Sequence, residues 1–384
     1  MKVLIAIDSF KGSLGSMEAG AAAAEGIRRA IPGAECEVLP MADGGEGTVE
    51  ALARGLGGDL RRVAVTGPAG RPVEAVYGVA GDMAVMEMAQ AAGITLVSPA
   101  DRNPLHTTTF GVGEMIADAI ARGCRRFVVG IGGSATNDAG AGMLQALGFR
   151  LLDAGGAEIG RGGAALAEVA EIRSESALPE LKECTFRIAC DVTNPLCGAT
   201  GASAVYGPQK GASPEAVAVL DANLARFAET AGGDAEFPGT GAAGGLGFAF
   251  RHFLGAELKR GVELVLEETG FEQKVRSADV VVTGEGRLDA QTVMGKAPAG
   301  AAKAAKRFGK PVIAFCGCAS PDASVVNEHG IDAYFPILRE VVSLDEALAA
   351  ENAAANLAAT AEQAFRCLAA MRQDGGDCKQ PEAK

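Results

Sequence analysis

Short apolar runs alternate with alanine-rich amphipathic stretches near the start of the chain. The runs VLIAID and CEVLPMA are typical of buried parallel strands. The stretches Ser16–Ala30 and Glu46–Arg54 carry apolar residues at helical spacing. Pro32 and Gly33 follow the first stretch and Gly55 follows the second, and these residue types end helices. The pattern predicts that the chain begins with a βαβα unit.

The middle of the chain has a different rhythm. RRVAVTGP, RPVEAVYGV and DMAVMEMA are short β-type runs, separated by Gly/Pro turns with no helix between them. These runs predict an antiparallel or mixed sheet. Further along, the pattern predicts helices at Phe110–Arg122 and Asp138–Leu147, each followed by another short apolar run.

After Ser277 the alternation of strands and helices returns. The runs ADVVVTG, KPVIAFC and DAYFPI predict strands, with helices at Pro298–Arg307 and Leu344–Met371. Because strands and helices alternate at both ends of the chain but not in its middle, we expect an α/β protein of two domains. One is a doubly wound domain built from both chain ends, and the other is inserted into it.

The length of the chain supports the same division, because 384 residues exceed what one hydrophobic core usually organises. We place the first domain at residues 1–65 and 286–372 and the inserted domain at residues 66–285. Residues 373–384, a polar segment with several glycines and charges, are expected to be a disordered tail.

The charge balance limits the partners of this protein. It has 35 Lys+Arg against 48 Asp+Glu, a net charge of -13, which is the wrong sign for binding nucleic acid through its phosphates. No apolar stretch approaches the roughly 20 residues that span a bilayer, and the N-terminal run stops at Asp8, too early for a secretory signal. The nine cysteines form no CxxC pair, which favours free thiols in a reducing cytoplasm. We expect a cytoplasmic protein with small-molecule partners. The sequence is compatible with a homo-oligomer.

Glycine-rich loops that also contain a carboxylate or a lysine recur, and several follow a predicted strand. Ligands of open α/β sheets bind at the carboxyl ends of strands, so such loops can meet at one cleft. Any single loop is explained as well by a tight turn, and acids such as Asp138 and Glu46 by helix capping. Lys11, Lys210 and Lys296, taken one at a time, would be solvated charges. The loops are DSFKGS, ADGGEGT, GIGGSATND, CDVTNPLCGATGA, GPQKGA, GTGAAGGLG and GEGRLDAQTVMGK.

The number of loops that combine these residue types favours chemistry on phosphoryl groups. Backbone N–H groups and lysines neutralise phosphate oxygens, carboxylates hold Mg²⁺, and one more carboxylate takes the proton of the attacking hydroxyl. The sequence contains no Walker A motif, no protein-kinase pair of H-R-D and D-F-G, and no G-x-S-x-G motif. Its three histidines occur in unrelated contexts, which disfavours a catalytic histidine.

One loop also supports a different function. Gly130, Gly132 and Ala135 match the dinucleotide fingerprint G-x-G-x-x-A after the run RRFVV, and Asp153 lies near the offset of a ribose-binding acid. An NAD-dependent 2-hydroxy acid dehydrogenase is therefore one alternative, although it leaves the other loops unexplained. A non-catalytic anion-binding module is another, although its many carboxylates would repel an anion unless a metal intervened.

Taken together, the loops resemble the bacterial glycerate kinases of the glycerate kinase type-1 family. The matching motifs occur in the order of that family and extend to about Ala370. Ala139 and Ala290 stand where the family usually has glycine, and Gly15 replaces a common serine. Because Ala139 falls at a predicted helix start, we expect it to be harmless. The motifs are DSFKGSL, MADGGEGT, NPLHTTTFGVGE, GIGGSATND, CDVTNPLCGATGA with GPQKGA, and GEGRLDAQTVMGK.

The resemblance implies a specific reaction and fold. The reaction is ATP-dependent phosphorylation of D-glycerate, usually at the 2-hydroxyl to give 2-phosphoglycerate, with 3-phosphoglycerate as the less favoured product. The fold is a flavodoxin-like domain built from both chain ends, with an inserted mixed-sheet α/β domain similar to restriction enzymes. Which loops bind ATP and which bind glycerate stays open.

Candidate roles follow from the residue types. Asp191 ends the run FRIAC and is our candidate for the catalytic base, with an Asx turn at Asn194 as the alternative explanation. The carboxylate of an acid substrate needs a specific cation, for which Arg71 and Lys11 are candidates. Asp43, which follows a predicted strand, is a further candidate for substrate binding.

We expect ATP as co-substrate together with Mg²⁺, bound where a glycine-rich strand end meets polar groups at a helix entry. The candidates for binding the nucleotide and its phosphates are Ser134, Asn137, Asp138, Glu285 and Lys296, and those for the metal are Asp8 and Asp289.

Overall fold

The computed structural model describes residues 1–45 and 47–374 and shows an α/β fold. The strands are β1 (Lys2–Ile7), β2 (Glu35–Val38), β3 (Asp59–Thr66), β4 (Pro72–Ala80), β5 (Met83–Glu87), β6 (Arg126–Gly130), β7 (Arg150–Leu152), β8 (Glu171–Arg173), β9 (Thr185–Ala189), β10 (Glu257–Lys259), β11 (Val280–Leu288), β12 (Val312–Ala319) and β13 (Ala333–Pro336).

The α-helices are α1 (Ser16–Ala30), α2 (Thr48–Gly55), α3 (Ala89–Ala92), α4 (Phe110–Ala121), α5 (Ala141–Ala146), α6 (Ala202–Tyr206), α7 (Pro214–Ala231), α8 (Ala242–Leu254), α9 (Gly261–Glu268), α10 (Phe271–Ser277), α11 (Ala297–Lys306), α12 (Leu344–Leu348) and α13 (Ala350–Asp374). Short 3₁₀ segments lie at Ile94–Leu96, Pro99–Asp101, Ala165–Glu168, Pro179–Glu183, Pro208–Lys210, Thr292–Met294 and Ala323–His329.

Residues 1–43 and the described residues from 265 onward form one compact unit, which we call the terminal unit. Its sheet has the order β2-β1-β11-β12-β13, and every neighbouring pair is parallel. Numbered within the unit this order is 2-1-3-4-5, a doubly wound order that reverses direction between its first and third strands. Ligands of such sheets bind beside that reversal, at the carboxyl ends of the strands. Here β1 and β11 flank the reversal.

The helices α1 and α13 pack closely together in the core of the terminal unit. Ile5 of β1, Ile27 of α1 and Phe365 of α13 belong to one buried core. A Cβ atom on Gly26 of α1 would lie 1.9 Å from the carbonyl oxygen of Ala358 in α13, so only glycine allows the two helices to pack this closely. The alanine-rich pattern of both ends of the chain thus builds one core.

Residues 44–264 form the other compact unit, which we call the central unit. Its main sheet has the order β10-β9-β6-β5-β4-β3. The pairs β10–β9, β9–β6 and β6–β5 are parallel, whereas the pairs β5–β4 and β4–β3 are antiparallel. The predicted mixed sheet is confirmed. Phe127 and Phe186 stack in its core with ring centroids 4.7 Å apart.

The central unit spans residues 44–264, whereas the sequence pattern placed the inserted domain at residues 66–285. The strand β3, assigned mostly to the first domain by that pattern, pairs with β4 over its whole length in the central sheet. The strand β11, which the second predicted division would cut, continues from Val280 to Leu288. Apolar runs mark strands, but they do not show which sheet a strand joins.

Two predicted helices differ from the observed ones. The helix α5 begins at Ala141 instead of Asp138, because Ala139 and Gly140 have φ angles of 52° and 73°. The expectation that Ala139 lies harmlessly in a helix start is wrong, since the left-handed conformation costs an alanine about 1–2 kcal/mol. The long predicted C-terminal helix is interrupted at Ala349, whose ψ of 122° separates α12 from α13.

Two other expectations fall partly outside the described residues. The predicted helix start at Glu46 lies outside them, and α2 begins at Thr48. Of the predicted disordered tail, residues 373 and 374 continue α13, and residues 375–384 lie outside the described part of the chain. None of the helices in the described residues is long and apolar enough to cross a membrane.

Candidate functional site

A cavity of about 390 Å³ lies in the terminal unit at the carboxyl ends of β1, β11 and β12. One part of its wall is charged, and the other part is mostly apolar. The charged part brings together six of the residues predicted from the sequence, which come from both ends of the chain. They are Asp8, Lys11, Asp43, Glu285, Asp289 and Lys296.

Backbone connections hold Asp8 and Asp43 at this edge of the sheet. Asp8 follows β1 directly, and its N–H donates to the carbonyl oxygen of Gly284 in β11 at 2.9 Å. The hydroxyl of Ser16 donates to the last carbonyl of β1 at 2.6 Å and accepts from the N–H of Met41 at 2.8 Å. Ser16 therefore ties the segment that leads to Asp43 to the end of β1.

Glu285 and Asp289 lie around the ammonium group of Lys296. The Oε1 atom of Glu285 accepts from the hydroxyl of Thr292 at 2.6 Å. The Nζ atom of Lys296 lies 3.8 Å from Oε2 of Glu285 and 3.4 Å from Oδ1 of Asp289. Oδ1 of Asp289 also accepts from the N–H of Gln291 at 2.9 Å. Asp289, predicted as a metal ligand, thus contacts a cation and an amide.

Burial, and to a smaller extent neighbouring like charges, raise the pKa values of two carboxyl groups in the cavity. Burial, followed by the Asp43 carboxylate, raises the pKa of Asp8 to about 7, with a smaller contribution from Glu285. The N–H of Ser9 and the ammonium of Lys11 act in the opposite direction. Burial also raises the pKa of Glu285. A group of carboxylates that repel one another in this way is one that a cation would stabilise.

The donor set suits Mg²⁺ bound jointly by protein and phosphate. The described residues contain no group of three or more His, Cys, Asp or Glu side chains arranged to hold a metal by themselves. Mg²⁺ does not need such a group, because it is usually bound by one or two carboxylates, several waters and phosphate oxygens. Asp8 with Asp43 or Glu285 would supply that many carboxylates.

The loop at Gly130–Asp138 is held from inside the central unit. Asp138 is fully buried, and its carboxylate accepts from the N–H and the hydroxyl of Thr109 at 2.8 Å and 2.9 Å. Burial raises the pKa of Asp138, and these hydrogen bonds oppose the shift. Asn137 is also fully buried, and its amide donates to the hydroxyl of Ser203 at 3.2 Å. The predicted binding of nucleotide by Asn137 and Asp138 stays a prediction.

Lys210 is buried beneath the same loop, so its interpretation as a solvated charge is wrong. Its side chain is 2% exposed, and its Nζ donates to the hydroxyl of Ser134 at 2.8 Å and to the carbonyl oxygen of Thr136 at 2.7 Å. Burial lowers the pKa of Lys210 to about 7, although the Asp138 carboxylate acts in the opposite direction. Ser134, a predicted nucleotide ligand, is engaged by this lysine.

Asp191 and Arg71 lie in exposed parts of the central unit. Asp191 follows β9 after Cys190, and its Oδ1 accepts from the N–H of Gly261, the first residue of α9, at 3.1 Å. Arg71 lies in the turn between β3 and β4, where its carbonyl oxygen accepts from the N–H of Gly67 at 2.7 Å. The roles predicted for both side chains stay predictions.

The dinucleotide alternative finds no support in the local geometry. The fingerprint requires a helix to start within the glycine turn, whereas the first helix after Gly130 is α5, which begins at Ala141. Asp153, the candidate ribose-binding acid, accepts from the N–H groups of Gly155 and Ala157 at 2.8 Å and 2.9 Å. That carboxylate stabilises a tight turn.

Sequence reasoning missed several residues that line the terminal cavity. Ser13 lies within the DSFKGS motif, and its hydroxyl is buried without a hydrogen-bond partner among the described residues. The apolar part of the wall comes largely from the segment between β13 and α13. Leu344 and Leu348 of this segment gave no signal in the sequence, because they fit an ordinary amphipathic helix. Asn356 of α13 also lines the cavity.

Comparisons with known proteins cover nearly the whole chain. A family model described as the glycerate kinase family matches residues 3–369. The chain is 50% identical over 368 residues to the glycerate kinase of Bacillus subtilis strain 168, covering 94% of this chain and 96% of that protein. It is 47% identical over 372 residues to the glycerate 2-kinase of Escherichia coli strain K12, covering 94% of this chain and 98% of that protein.

One solved structure is similar in both fold and sequence. It is the crystal structure of a protein from Salmonella typhimurium LT2 assigned as glycerate kinase 2. The two structures superpose with a TM-score of 0.89 at 46% sequence identity, covering 97% of this chain and 99% of that chain.

The buried lysine predicts how stability depends on pH. The folded chain releases the Lys210 proton above about pH 7, whereas the unfolded chain keeps it up to a pKa near 10.5. Between these values the unfolded state binds more protons, so this lysine makes the free energy of unfolding rise with pH, by at most about 1.4 kcal/mol per pH unit. Urea unfolding of wild type and Lys210→Met from pH 7 to pH 10 measures the effect. The free energy of unfolding of wild type, relative to that of Lys210→Met, should increase as the pH rises. Equal pH dependence of the two proteins would contradict a lowered pKa of Lys210.

Proposed function

Because the chain belongs to the glycerate kinase family, we propose that it catalyses the ATP-dependent phosphorylation of D-glycerate to 2-phosphoglycerate. The name of the Escherichia coli relative, glycerate 2-kinase, supports the 2-hydroxyl as acceptor. The observation that carries the proposal is the terminal cavity, where the carboxylates of Asp8, Asp43 and Glu285 lie with Lys296 at the carboxyl edge of a parallel sheet. The predicted cytoplasmic location and the oligomeric state stay predictions.

The charged part of this cavity supplies the groups that phosphoryl transfer needs. When bound, Mg²⁺ would neutralise phosphate oxygens and link them to protein carboxylates. Asp8, with Asp43 or Glu285, is proposed to hold it. Lys296 is positioned by Glu285 and Asp289 to contact a phosphate oxygen. Asp289 then acts by orienting the lysine, a different role from the metal ligand first expected.

The substrate would be bound through its carboxylate and hydroxyls. Lys11 is exposed at the rim of the cavity and is proposed to pair with the glycerate carboxylate, while Asp43 could accept a hydrogen bond from a glycerate hydroxyl. Arg71 stays a second candidate for the carboxylate. Ser134, Asn137 and Asp138 stay candidates for the nucleotide, although their contacts inside the central unit do not add support.

The two units support the fold that the family resemblance implies. The terminal unit, with its parallel order 2-1-3-4-5, is proposed to be a flavodoxin-like domain. The central unit, with its mixed sheet, is proposed to be the inserted domain similar to restriction enzymes.

The reaction is tested by coupling ADP formation to a nicotinamide readout, with D-glycerate, ATP and Mg²⁺. We expect turnover that requires all three, and phosphorus NMR of the product should show the ester on the 2-hydroxyl. A phosphate on the 3-hydroxyl would contradict the regiochemistry alone. Nicotinamide reduction by a 2-hydroxy acid without ATP would instead support the dehydrogenase, and ATP binding without turnover would support a non-catalytic module.

The role of the cavity is tested by removing one charge. Glu285→Gln keeps the size of the side chain but removes a carboxylate beside Asp8 and Lys296. We expect kcat to fall at least about 100-fold, a loss similar to that caused by removing one preorganised polar group from other active sites. Glu37→Gln is the matched control, because Glu37 is exposed and pairs with Lys274 at 2.8 Å outside this cavity. Equal turnover of both variants would contradict the assignment.

Asp191 is proposed as the base that accepts the proton of the glycerate hydroxyl. Its carboxylate is exposed at a strand end and is oriented by the N–H of Gly261. Asp191→Asn should remove most of kcat while leaving the unfolding curve of the protein unchanged. Asp234→Asn is the control, since Asp234 is also exposed and accepts from one backbone N–H, that of Glu236. Near-normal turnover of Asp191→Asn would reject the role.

A further inference from the structure

The apolar part of the cavity wall is too extensive for glycerate. It is formed by Phe10, Ile337, Leu338, Leu344 and Leu348, which we call the apolar wall. Glycerate is a three-carbon acid whose carbons all carry oxygen, so it has little apolar surface to bury. A cavity of about 390 Å³ is of the size that takes a larger, drug-sized ligand. Glycerate alone therefore does not account for the apolar wall.

The wall is built where a nucleotide could reach the charged groups. Ile337 follows β13, and its N–H donates to the carbonyl oxygen of Cys316 in β12 at 2.8 Å, which fixes the start of the wall to the sheet. Leu344 and Leu348 lie one turn apart on α12, which is capped at its N-terminus by Ser343. Their side chains are 71% and 38% exposed although both line the cavity. Large apolar groups exposed beside a cavity are typical of a ligand-binding surface.

Two polar groups in this cavity have no partner among the described residues. The Ser13 hydroxyl is buried there without a hydrogen bond. The amide of Asn356, on a half-buried residue of α13, also makes no hydrogen bond within the described part of the chain. A carboxamide donates and accepts at once, which matches the amino group and ring nitrogen on one edge of adenine. An apolar wall with one carboxamide is a suitable surface for a purine base.

We propose that the apolar wall of the terminal unit binds the purine base of the nucleotide donor, with Asn356 reading the edge of adenine and the phosphates directed toward Lys296. This inference rests on the proposed function for the identity of the donor. It assigns the nucleotide to the terminal unit, where Glu285 and Lys296 were the candidates, rather than to the Gly130–Asp138 loop.

The test measures nucleotide binding directly, without glycerate. Calorimetry of the full chain with Mg·ADP is compared for wild type, Leu344→Ser and Val341→Ser. Val341 is fully exposed in the same segment and does not line the cavity, so it is the matched control. We expect Leu344→Ser to weaken Mg·ADP about 5- to 10-fold, because it removes part of the apolar contact that the bound base would bury on Leu344, and Val341→Ser to have no effect. Tripolyphosphate, which has no base, should bind wild type and Leu344→Ser equally.

A second variant tests how the base is recognised. Asn356→Ala should lower the ratio of kcat/KM for ATP to kcat/KM for GTP at least about tenfold, because a site built to hydrogen-bond a ligand discriminates against one that lacks the match. The KM for D-glycerate should not change. An unchanged ratio would overturn the role of Asn356.

The outcomes separate this inference from the proposed function. If wild type phosphorylates D-glycerate but Leu344→Ser binds Mg·ADP normally, the wall is not the base site and the proposed function stands. If Leu344→Ser weakens Mg·ADP but glycerate is not phosphorylated, the base site stands and the proposed function fails. If Leu344→Ser weakens tripolyphosphate as much as Mg·ADP, the wall does not contact a base.

Discussion

Asp8, Asp43 and Glu285 carry like charges in one cavity, and the fold must hold them together against their repulsion. Neighbouring parallel strands place Asp8 and Glu285 side by side, because the N–H of Asp8 donates into β11 one residue before Glu285. Ser16 fixes the segment before Asp43 to the same strand end. Burial of the Asp8 carboxyl group, followed by the neighbouring Asp43 and Glu285 carboxylates, raises its pKa to about 7. A phosphate-bound cation would offset the repulsion among these carboxylates and favour their ionised forms.

The central unit also contains a buried charge and a strained backbone. Lys210 donates to two oxygens of the Gly130–Asp138 loop, and the left-handed Ala139 immediately follows that loop. Burying a lysine and placing alanine in this conformation are both unfavourable, so surrounding contacts must hold them. The carboxylate of Asp138 provides some of these contacts, since it accepts from the backbone N–H groups of Thr109 and Gly140. The loop is thus held by hydrogen bonds from other segments of the central unit.

Several residues that line the terminal cavity could be predicted from the sequence. Glycines and carboxylates directly after apolar runs identified Asp8, Asp43 and Glu285, and parallel sheets bring such strand ends together whatever their separation along the chain. The resemblance to the family then implied glycerate as the substrate and a domain built from both chain ends. The burial of Lys210 was not predictable, because its partner Ser134 lies 76 residues away. Nor was the apolar wall, since the leucines of α12 repeat at ordinary helical spacing. The left-handed Ala139 was not predictable either, and its N–H donates to the carbonyl oxygen of Gly244, another long-range contact.

The most direct test of this account is a crystal structure of the full chain with ADP, Mg²⁺ and D-glycerate. The account predicts a cation bonded to Asp8 and to Asp43 or Glu285, with a nucleotide phosphate beside Lys296. A cation and phosphates bound at Ser134–Asp138, with no ligand at Asp8, would contradict it.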